Sequence, residues 1–282
     1  MKVKSQLSIS AESKKQLLSV LLGLNSFLWC PPILAQGEPT NNAKAAGAAV
    51  AESPRLLQGG VRHKEYLEPV PTALMAGAKF EEETLPKLTP NNNWIPVPAW
   101  LAGTWQFKTE NVTAMEDYTG ANYTKPPYTI RNEGQKIFGQ QKDKSGQIWH
   151  YLKAPYSYVT KLDHGRIGYE RVTGSEAVAS DDSALELKLT GTDTQVKNQR
   201  VTFTSQSEQF SRYTQAGKDA IRLDGSSKYF NMQGKATGQQ AAYMMPQLSK
   251  PFEVIDEQDG ENLKQSFVDF LKSHGKADLV PQ

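Results

Sequence analysis

Cysteine is almost absent from this chain of 282 residues, in which Cys30 is the only one. Cys30 falls inside an N-terminal segment that we expect to be removed, so we predict a mature protein without cysteine. Such a protein forms no disulfide, and it offers neither a thiolate nucleophile nor a cysteine-ligated zinc site. A domain of this size reaches stability without disulfides, because it buries a large share of its surface on folding.

A clustered excess of positive charge is also missing. The chain has 32 Lys and Arg residues against 30 Asp and Glu residues, which gives a formal net charge of +2. No basic tract stands out beyond the N-terminal segment, and nucleic-acid binding usually requires clustered basic side chains that neutralise phosphates. We therefore expect no nucleic acid among the partners.

Only one long apolar run is present, over residues 17–29 near the N-terminus. Four lysines precede this run, Pro31 and Pro32 follow it, and Ala35 comes shortly after them. This order of positive charge, apolar run, helix breaker and small residue is typical of an export signal. We predict cleavage after Ala35 and a secreted or periplasmic protein without a transmembrane span. The alternative is an uncleaved membrane anchor, but the run is shorter than the roughly 20 residues that a span needs.

After the predicted signal peptide (residues 1–35), the composition changes along the chain. Residues 36–61 are rich in Ala, Gly, Asn and Pro and almost free of aromatics, which predicts a flexible linker. Several prolines punctuate residues 62–93, which we expect to form an irregular N-terminal arm. We assign residues 94–256 to the main domain and residues 257–275 to a C-terminal helix.

In residues 94–256, short runs of alternating apolar side chains are separated by turn residues. Leu185, Leu187 and Leu189, for example, alternate with charged residues, as in a strand with one buried face. About eight or nine such runs follow one another without a helix between them, which disfavours a parallel βαβ architecture. We predict an all-β domain that forms an antiparallel closed or nearly closed β-barrel, with a β-sandwich as the alternative.

The C-terminal segment has a different periodicity. Leu263, Phe267, Phe270 and Leu271 recur at helical spacing, and Gly275 follows them. This pattern predicts an amphipathic helix. In one interpretation the helix packs on the barrel; in the other, Leu263, Phe267 and Phe270 bind an envelope protein partner.

The string Trp-Leu-Ala-Gly-Thr-Trp at residues 100–105 opens the first expected strand. A Gly-x-Trp in this position resembles the start of the calycin superfamily, which contains the lipocalins and their bacterial lipocalin-like relatives. The resemblance implies that Gly103 permits close approach of the backbone and that the indole of Trp105 closes one end of a barrel. It also implies a basic residue that crosses this indole, for which Arg222 and Arg212 are the candidates.

The same resemblance implies a small apolar ligand inside the barrel. With Trp105 inward, Phe107 shares its face, and Tyr158, Tyr169 and Phe203 are candidate wall residues. An apolar pocket with a few polar groups suits a lipid-like or pigment-like molecule. The alternative for each of these aromatics is a core that the protein fills with its own side chains.

Sequence motifs for catalysis or metal binding are missing. The sequence has no glycine-rich phosphate loop and no Gly-x-Ser-x-Gly elbow. His150 and His164 show no spacing that supports a metal site, and we name no catalytic residue, metal ligand or cofactor. Three functions remain: binding of a small apolar ligand, a structural or assembly role in the cell envelope through a protein partner, and an enzyme on a calycin scaffold.

Overall fold

The structure is a computed structural model that describes residues 63–85, 91–119 and 127–281. The predicted signal peptide with Cys30 and the predicted linker over residues 36–61 lie outside the described residues. The described residues contain fourteen strands and one α-helix, and this helix is too short to cross a membrane. The elements are β1 (Asn91–Val97), β2 (Gly103–Asp117), β3 (Tyr128–Phe138), β4 (Gln141–Lys142), β5 (Ile148–Ala154), β6 (Tyr156–Lys161), β7 (Ile167–Ser180), β8 (Ala184–Lys197), β9 (Arg200–Gln215), β10 (Ile221–Phe230), β11 (Ala236–Met244), β12 (Gln247–Pro251), β13 (Glu257–Gln258), β14 (Glu261–Asn262) and the helix α1 (Leu263–Ser273).

Nine of these strands form one large antiparallel sheet. Its order from edge to edge is β3, β2, β11, β10, β9, β8, β7 and β6. The ninth strand, β12, pairs with the first residues of β2, and β11 pairs with the later residues of β2 on the same side. The strands from β6 to β11 are successive neighbours because short turns join them. Between β8 and β9, Asn198 and Gln199 adopt positive φ angles of 51° and 57°, as a two-residue hairpin turn matched to the twist of the strands requires.

The large sheet curls without closing. Its edge strands are β3 and β6, and no ladder joins them within the described ranges. The antiparallel all-β class is confirmed, but the expectation of a closed barrel is wrong. The physical reason lies in the chain between the two edges: β4 and β5 do not join the large sheet, and β5 pairs with β1 on one side and with β4 on the other in a separate three-stranded sheet.

The small sheet lies between the large sheet and α1. Its side chains alternate: Ile95, Val97 and Leu152 belong to the core inside the curl, whereas Trp94 and Trp149 contact the helix. Such alternation is expected when both faces of a sheet are covered. The small sheet therefore fills the concave side of the curl and provides a platform for the helix.

Helix α1 packs on this platform through its apolar residues. Phe267 lies 4.9 Å from the ring of Trp94 and 5.8 Å from that of Trp149, measured between ring centres. The predicted helix is confirmed, and Asn262 caps it by accepting a hydrogen bond from the backbone N–H of Gln265 at 2.9 Å. Leu263, Phe267 and Phe270 are 1%, 0% and 8% exposed. The chain's own core therefore covers these three residues, and nothing in the described residues supports an envelope protein partner bound through them.

Cross-strand rows identify the two faces of the large sheet. Leu185, Tyr213, Leu223 and Met244 form one row from β8 to β11, and all four belong to the core inside the curl. We call this concave side the inner face and the opposite side the outer face. Because side chains alternate along a strand, the residues on either side of this row, such as Arg222, face outward.

Residues 63–85 of the N-terminal arm cross the outer face. The backbone N–H groups of Leu67, Val70 and Phe80 donate to carbonyl groups of the β10–β11 and β8–β9 turns at 2.9 Å. Val70 and Leu74 are buried against the sheet and form a small apolar cluster of their own. The arm is irregular, with two 3₁₀ turns, but residues 91–93 belong to β1 and not to the arm.

Candidate functional site

A cavity of about 220 Å³ lies between the two edges of the large sheet. Its walls come from β3, β5, β6, β7, β8 and β9 and from the segment between β13 and the start of α1. The cavity therefore occupies the gap that a closed barrel would have removed. Its apolar surface includes Leu152, Leu187 and Leu189, and its polar groups include Lys136, His150 and Tyr213.

Lys136 brings a positive charge into this cavity. Its Nζ donates to the hydroxyl oxygen of Tyr213 at 2.5 Å and lies 5.1 Å from the centre of that ring. Tyr213 is 1% exposed. In the part of the chain that the structure describes, no carboxylate lies within ion-pair distance of Lys136. Lys136 is half-buried as a residue, and its ammonium group has no carboxylate partner among the described side chains.

His150 lies beside this charge in its neutral form. Burial and the positive charge of Lys136 lower the pKa of His150 to about 3. The Oε1 atom of Gln140 lies 2.9 Å from His150 Nδ1 and also accepts the backbone N–H of Tyr151 at 2.8 Å. Since this oxygen is an acceptor, Nδ1 carries the proton and donates it. The Nε2 atom of His150 therefore keeps its lone pair.

Two further tyrosines line the cavity from β6. Tyr156 and Tyr158 alternate along this strand, and their ring centres lie 5.3 Å apart. Burial raises the pKa of both phenols above the ordinary value, with nearby ionisable groups acting in the same direction. Both hydroxyls are thus protonated at neutral pH and able to donate hydrogen bonds.

These groups are better suited to hydrogen bonding than to proton transfer. A general acid or base works best when its pKa lies near the working pH. The pKa of His150 lies far below neutrality, and the pKa values of Tyr156 and Tyr158 lie above their usual range. The arrangement can therefore hold a polar group of a ligand in a fixed place.

Of the five aromatics that we predicted to contact a ligand, Tyr158 lines the cavity and the other four do not. Trp105 and Phe107 are 1% and 3% exposed and belong to the core inside the curl. The indole N–H of Trp105 donates to the carbonyl of Leu101 at 2.7 Å. Tyr169 faces outward, with its ring centre 4.6 Å from that of Phe80 in the arm. Phe203 lies near the β8–β9 turn, away from the cavity.

Gly103 lies where β12 meets β2. Its φ angle is 141°, and a Cβ atom at this position would lie 2.8 Å from the carbonyl oxygen of Lys250 and 2.9 Å from Leu248 Cδ1. Both the backbone conformation and the close contact require glycine. The close approach at Gly103 that the lipocalin resemblance implied is thus present between these two strands.

The structure does not place Arg222 across the indole of Trp105. Arg222 lies on the outer face, where its guanidinium bonds to Asp224 at 2.7 Å and lies 4.6 Å from the ring centre of Tyr243. Arg212 also faces outward and lies 3.4 Å from Glu186. Each arginine directly precedes a core residue of the inner face in its strand. Because side chains alternate between the two faces of a sheet, each arginine points away from the indole. This corrects the expectation for the basic residue.

Sequence reasoning missed most of the cavity. Lys136, His150, Tyr156 and Tyr213 were not among the predicted site residues, although Tyr156 follows from Tyr158 by alternation along one strand. No local signal marks Lys136, because its partner Tyr213 lies 77 residues away in the sequence.

No group of three His, Asp or Glu side chains is placed to hold a metal ion within residues 63–85, 91–119 and 127–281. No protein family, curated protein or solved structure matches this chain. The function is therefore argued from the fold and from the cavity.

Proposed function

We propose that this protein binds one small molecule with an apolar body in the cavity between β3 and β6. The observation that carries the proposal is the cavity itself, of about 220 Å³. An apolar cavity of about 150 Å³ holds benzene, so this one has room for a ring with a short substituent. It is smaller than the roughly 300–1,000 Å³ of pockets for larger ligands. A long lipid tail or a large pigment is therefore a poorer fit than a single ring.

The lining supports a binding role. Leu152, Leu187 and Leu189 offer apolar surface, and a few polar groups stand among them, which is the usual composition of a ligand pocket. The proposal keeps the binding role that the resemblance to lipocalins implies, but it places the ligand between the sheet edges and not in a closed barrel. With the export signal predicted over residues 1–35, we propose a secreted or periplasmic binding protein.

The rival role in envelope assembly depended on an exposed apolar helix face. Because Leu263, Phe267 and Phe270 are buried in the described chain, the surface proposed for that role is not available. The enzyme hypothesis has no supporting pair of groups in the cavity, since the titratable side chains described above favour binding over proton transfer. Ligand binding is therefore the function that we put forward.

The proposal is tested by filling the cavity. Leu189→Trp places a large ring in the cavity, whereas Val159→Trp adds the same ring at a position of β6 that is 60% exposed. Binding of benzyl alcohol and of benzoate is measured by NMR titration of the methyl groups of Leu152 and Leu187. We expect the wild type and Val159→Trp to bind at least one probe and Leu189→Trp to bind neither. If neither probe binds to the wild type, or if Leu189→Trp binds as well as the wild type, the proposal is wrong.

A further inference from the structure

The charge of Lys136 indicates what kind of group the cavity binds. Half-burying an ammonium group without a counter-ion is costly, and protein structures usually compensate such a charge. The Tyr213 oxygen accepts a hydrogen bond from Lys136, so the phenol's own proton remains available for a hydrogen bond to another acceptor. Lys136 and Tyr213 thus present donors side by side, and one of them is charged.

The other charged groups that line the cavity do not pair with Lys136. Asp259, Glu261 and Lys153 all line it, and the ammonium nitrogen of Lys153 lies 3.4 Å and 3.5 Å from oxygens of the two carboxylates. Glu170 pairs with Tyr158 across strands β7 and β6. Burial raises the pKa of Glu170 to about 7, with the charge of Asp193 acting in the same direction. His150 is neutral, and among the described side chains no carboxylate lies within ion-pair distance of Lys136.

The uncharged polar groups lead to the same conclusion. The hydroxyls of Tyr156, Tyr158 and Ser211 add donors along the walls. An acceptor of the protein, the buried Oε1 of Gln258, has no partner among the described residues and belongs to the lining beside Asp259. The two carboxylates of the lining thus pair with Lys153, whereas Lys136 has the neutral oxygen of Tyr213 as its described partner.

We propose that the ligand is a small carboxylic acid with an apolar ring, whose carboxylate accepts hydrogen bonds from Lys136 and Tyr213. This inference rests on the proposed function and names the class of its ligand. The ring lies against Leu152, Leu187 and Leu189, and the uncharged end of the molecule faces Gln258. A hydrogen bond between charged groups is stronger than one between neutral groups. The carboxylate therefore strengthens binding over a neutral molecule of equal size by about tenfold to a hundredfold.

The test compares benzoate with benzyl alcohol, which have the same ring and nearly the same size but differ in charge. Dissociation constants are measured by NMR titration on the full chain, for the wild type and for Lys136→Met. Lys108→Met serves as the matched control, because it removes an exposed lysine of β2 that does not line the cavity. We expect the wild type and Lys108→Met to prefer benzoate by at least about tenfold. Lys136→Met loses this preference and keeps its affinity for benzyl alcohol.

The outcomes separate the two proposals. If neither molecule binds to the wild type, the proposed function itself fails. If both bind with equal affinity, or if Lys136→Met still prefers benzoate, the cavity binds ligands but the carboxylate assignment is wrong. The preference of the wild type for benzoate is measured without any substitution, so it tests the carboxylate assignment even if Lys136→Met does not fold. In that case Lys136→Gln provides a second neutral variant.

Discussion

Two carboxylates without any exposed surface lie on opposite faces of the large sheet. Glu208 is on the outer face beneath the N-terminal arm. Burial alone would raise its pKa, but contacts with His63, Lys188 and the backbone N–H of Lys64 lower the pKa to about 2. Glu110 is on the inner face, where Asn132 donates at 2.7 Å and Gln240 at 3.4 Å. Burial raises the pKa of Glu110 to about 7, and the hydrogen bond from Asn132 offsets only part of this effect.

The difference between these carboxylates shows that the two faces are stabilised in different ways. Residue type and exposure are the same, so the neighbours decide which protonation state is favoured. Beneath the arm, Lys188 lies 2.9 Å and His63 3.3 Å from the oxygens of Glu208, and the negative charge is compensated. Inside the curl no cation stands at Glu110 among the described contacts, and the surroundings are apolar or neutral. Apolar packing dominates on the inner face, whereas ionic contacts attach the arm to the outer face.

The largest expected effect tests the importance of packing inside the curl. Trp105→Ala should lower the free energy of unfolding by about 3–5 kcal/mol, because it removes a buried indole and leaves a cavity. The measurement is urea-induced unfolding followed by circular dichroism. Tyr66→Ala is the control on the arm, where the side chain is 72% exposed, and it should change the free energy by no more than about 0.5 kcal/mol. A loss below about 1 kcal/mol for Trp105→Ala would contradict the role of packing.

The second prediction concerns the ionic contacts beneath the arm. Glu208→Gln should lower the free energy of unfolding at pH 7 by about 3 kcal/mol, because it leaves the partly buried Lys188 with only the mostly exposed Glu176, at 3.8 Å, as a partner. The folded-state pKa of about 2 lies below the ordinary glutamate value of 4.5. The stabilisation is therefore complete above pH 4.5 and is lost as the pH falls towards 2. The difference between the variant and the wild type should shrink over this range.

A double variant sharpens this second test. Lys188→Met removes the cation together with its desolvation cost, so Glu208→Gln combined with Lys188→Met should recover part of the loss. If the single and double variants unfold at the same urea concentration, the ion pair does not stabilise the arm.

The third prediction is that a carboxylate of the inner face, Glu110, gives stability the opposite pH dependence. Because the folded-state pKa of Glu110 is about 7 and the ordinary glutamate value is 4.5, the folded protein holds a proton that the unfolded chain releases. Stability therefore falls as the pH rises from 4.5 to 7. Glu110→Gln removes this titration, so the variant should be more stable than the wild type at pH 8, by no more than about 3 kcal/mol, and equally stable near pH 4.

The measurement is the free energy of unfolding at several pH values for both proteins. Glu170 and Asp193 also have raised pKa values, of about 7 and about 6, but their contributions cancel in the difference between variant and wild type. Glu133→Gln, at a side chain that is 51% exposed, is the control and should leave the pH profile unchanged. A Glu110→Gln variant less stable than the wild type at pH 8 would refute the contrast between the faces.

Local patterns in the sequence predicted several elements well. The alternating Leu185, Leu187 and Leu189 lie within β8, and a C-terminal helix is present as α1, because alternation and helical spacing are properties of neighbouring residues. Asp224 and Gly225 are residue types that favour turns, but both lie within β10. Strand β11 was not predicted, because its small and polar residues show little apolar alternation.

The curl and the cavity depend on contacts that local patterns do not report. Nothing in the residues of β5 shows that it pairs with β1 outside the large sheet, and this pairing keeps the barrel open. The cavity likewise joins Lys136 to Tyr213 from distant parts of the chain. The resemblance of residues 100–105 to lipocalins pointed to the interior around Trp105, whereas the cavity lies between the sheet edges.

The smallest expected change in the free energy of unfolding is for a substitution of Arg222 on the outer face. The lipocalin resemblance had implied that this side chain crosses the indole of Trp105. The side chains of Arg222 and Asp224 are 45% and 43% exposed, so water weakens their attraction. Arg222→Ala should therefore lower the free energy of unfolding by no more than about 1 kcal/mol, even with the loss of its contact with Tyr243. Arg131→Ala, which breaks another exposed pair at 3.0 Å, should have a similarly small effect in the same urea titration. A loss for Arg222→Ala as large as that for Trp105→Ala would mean that this arginine supports the inner face after all.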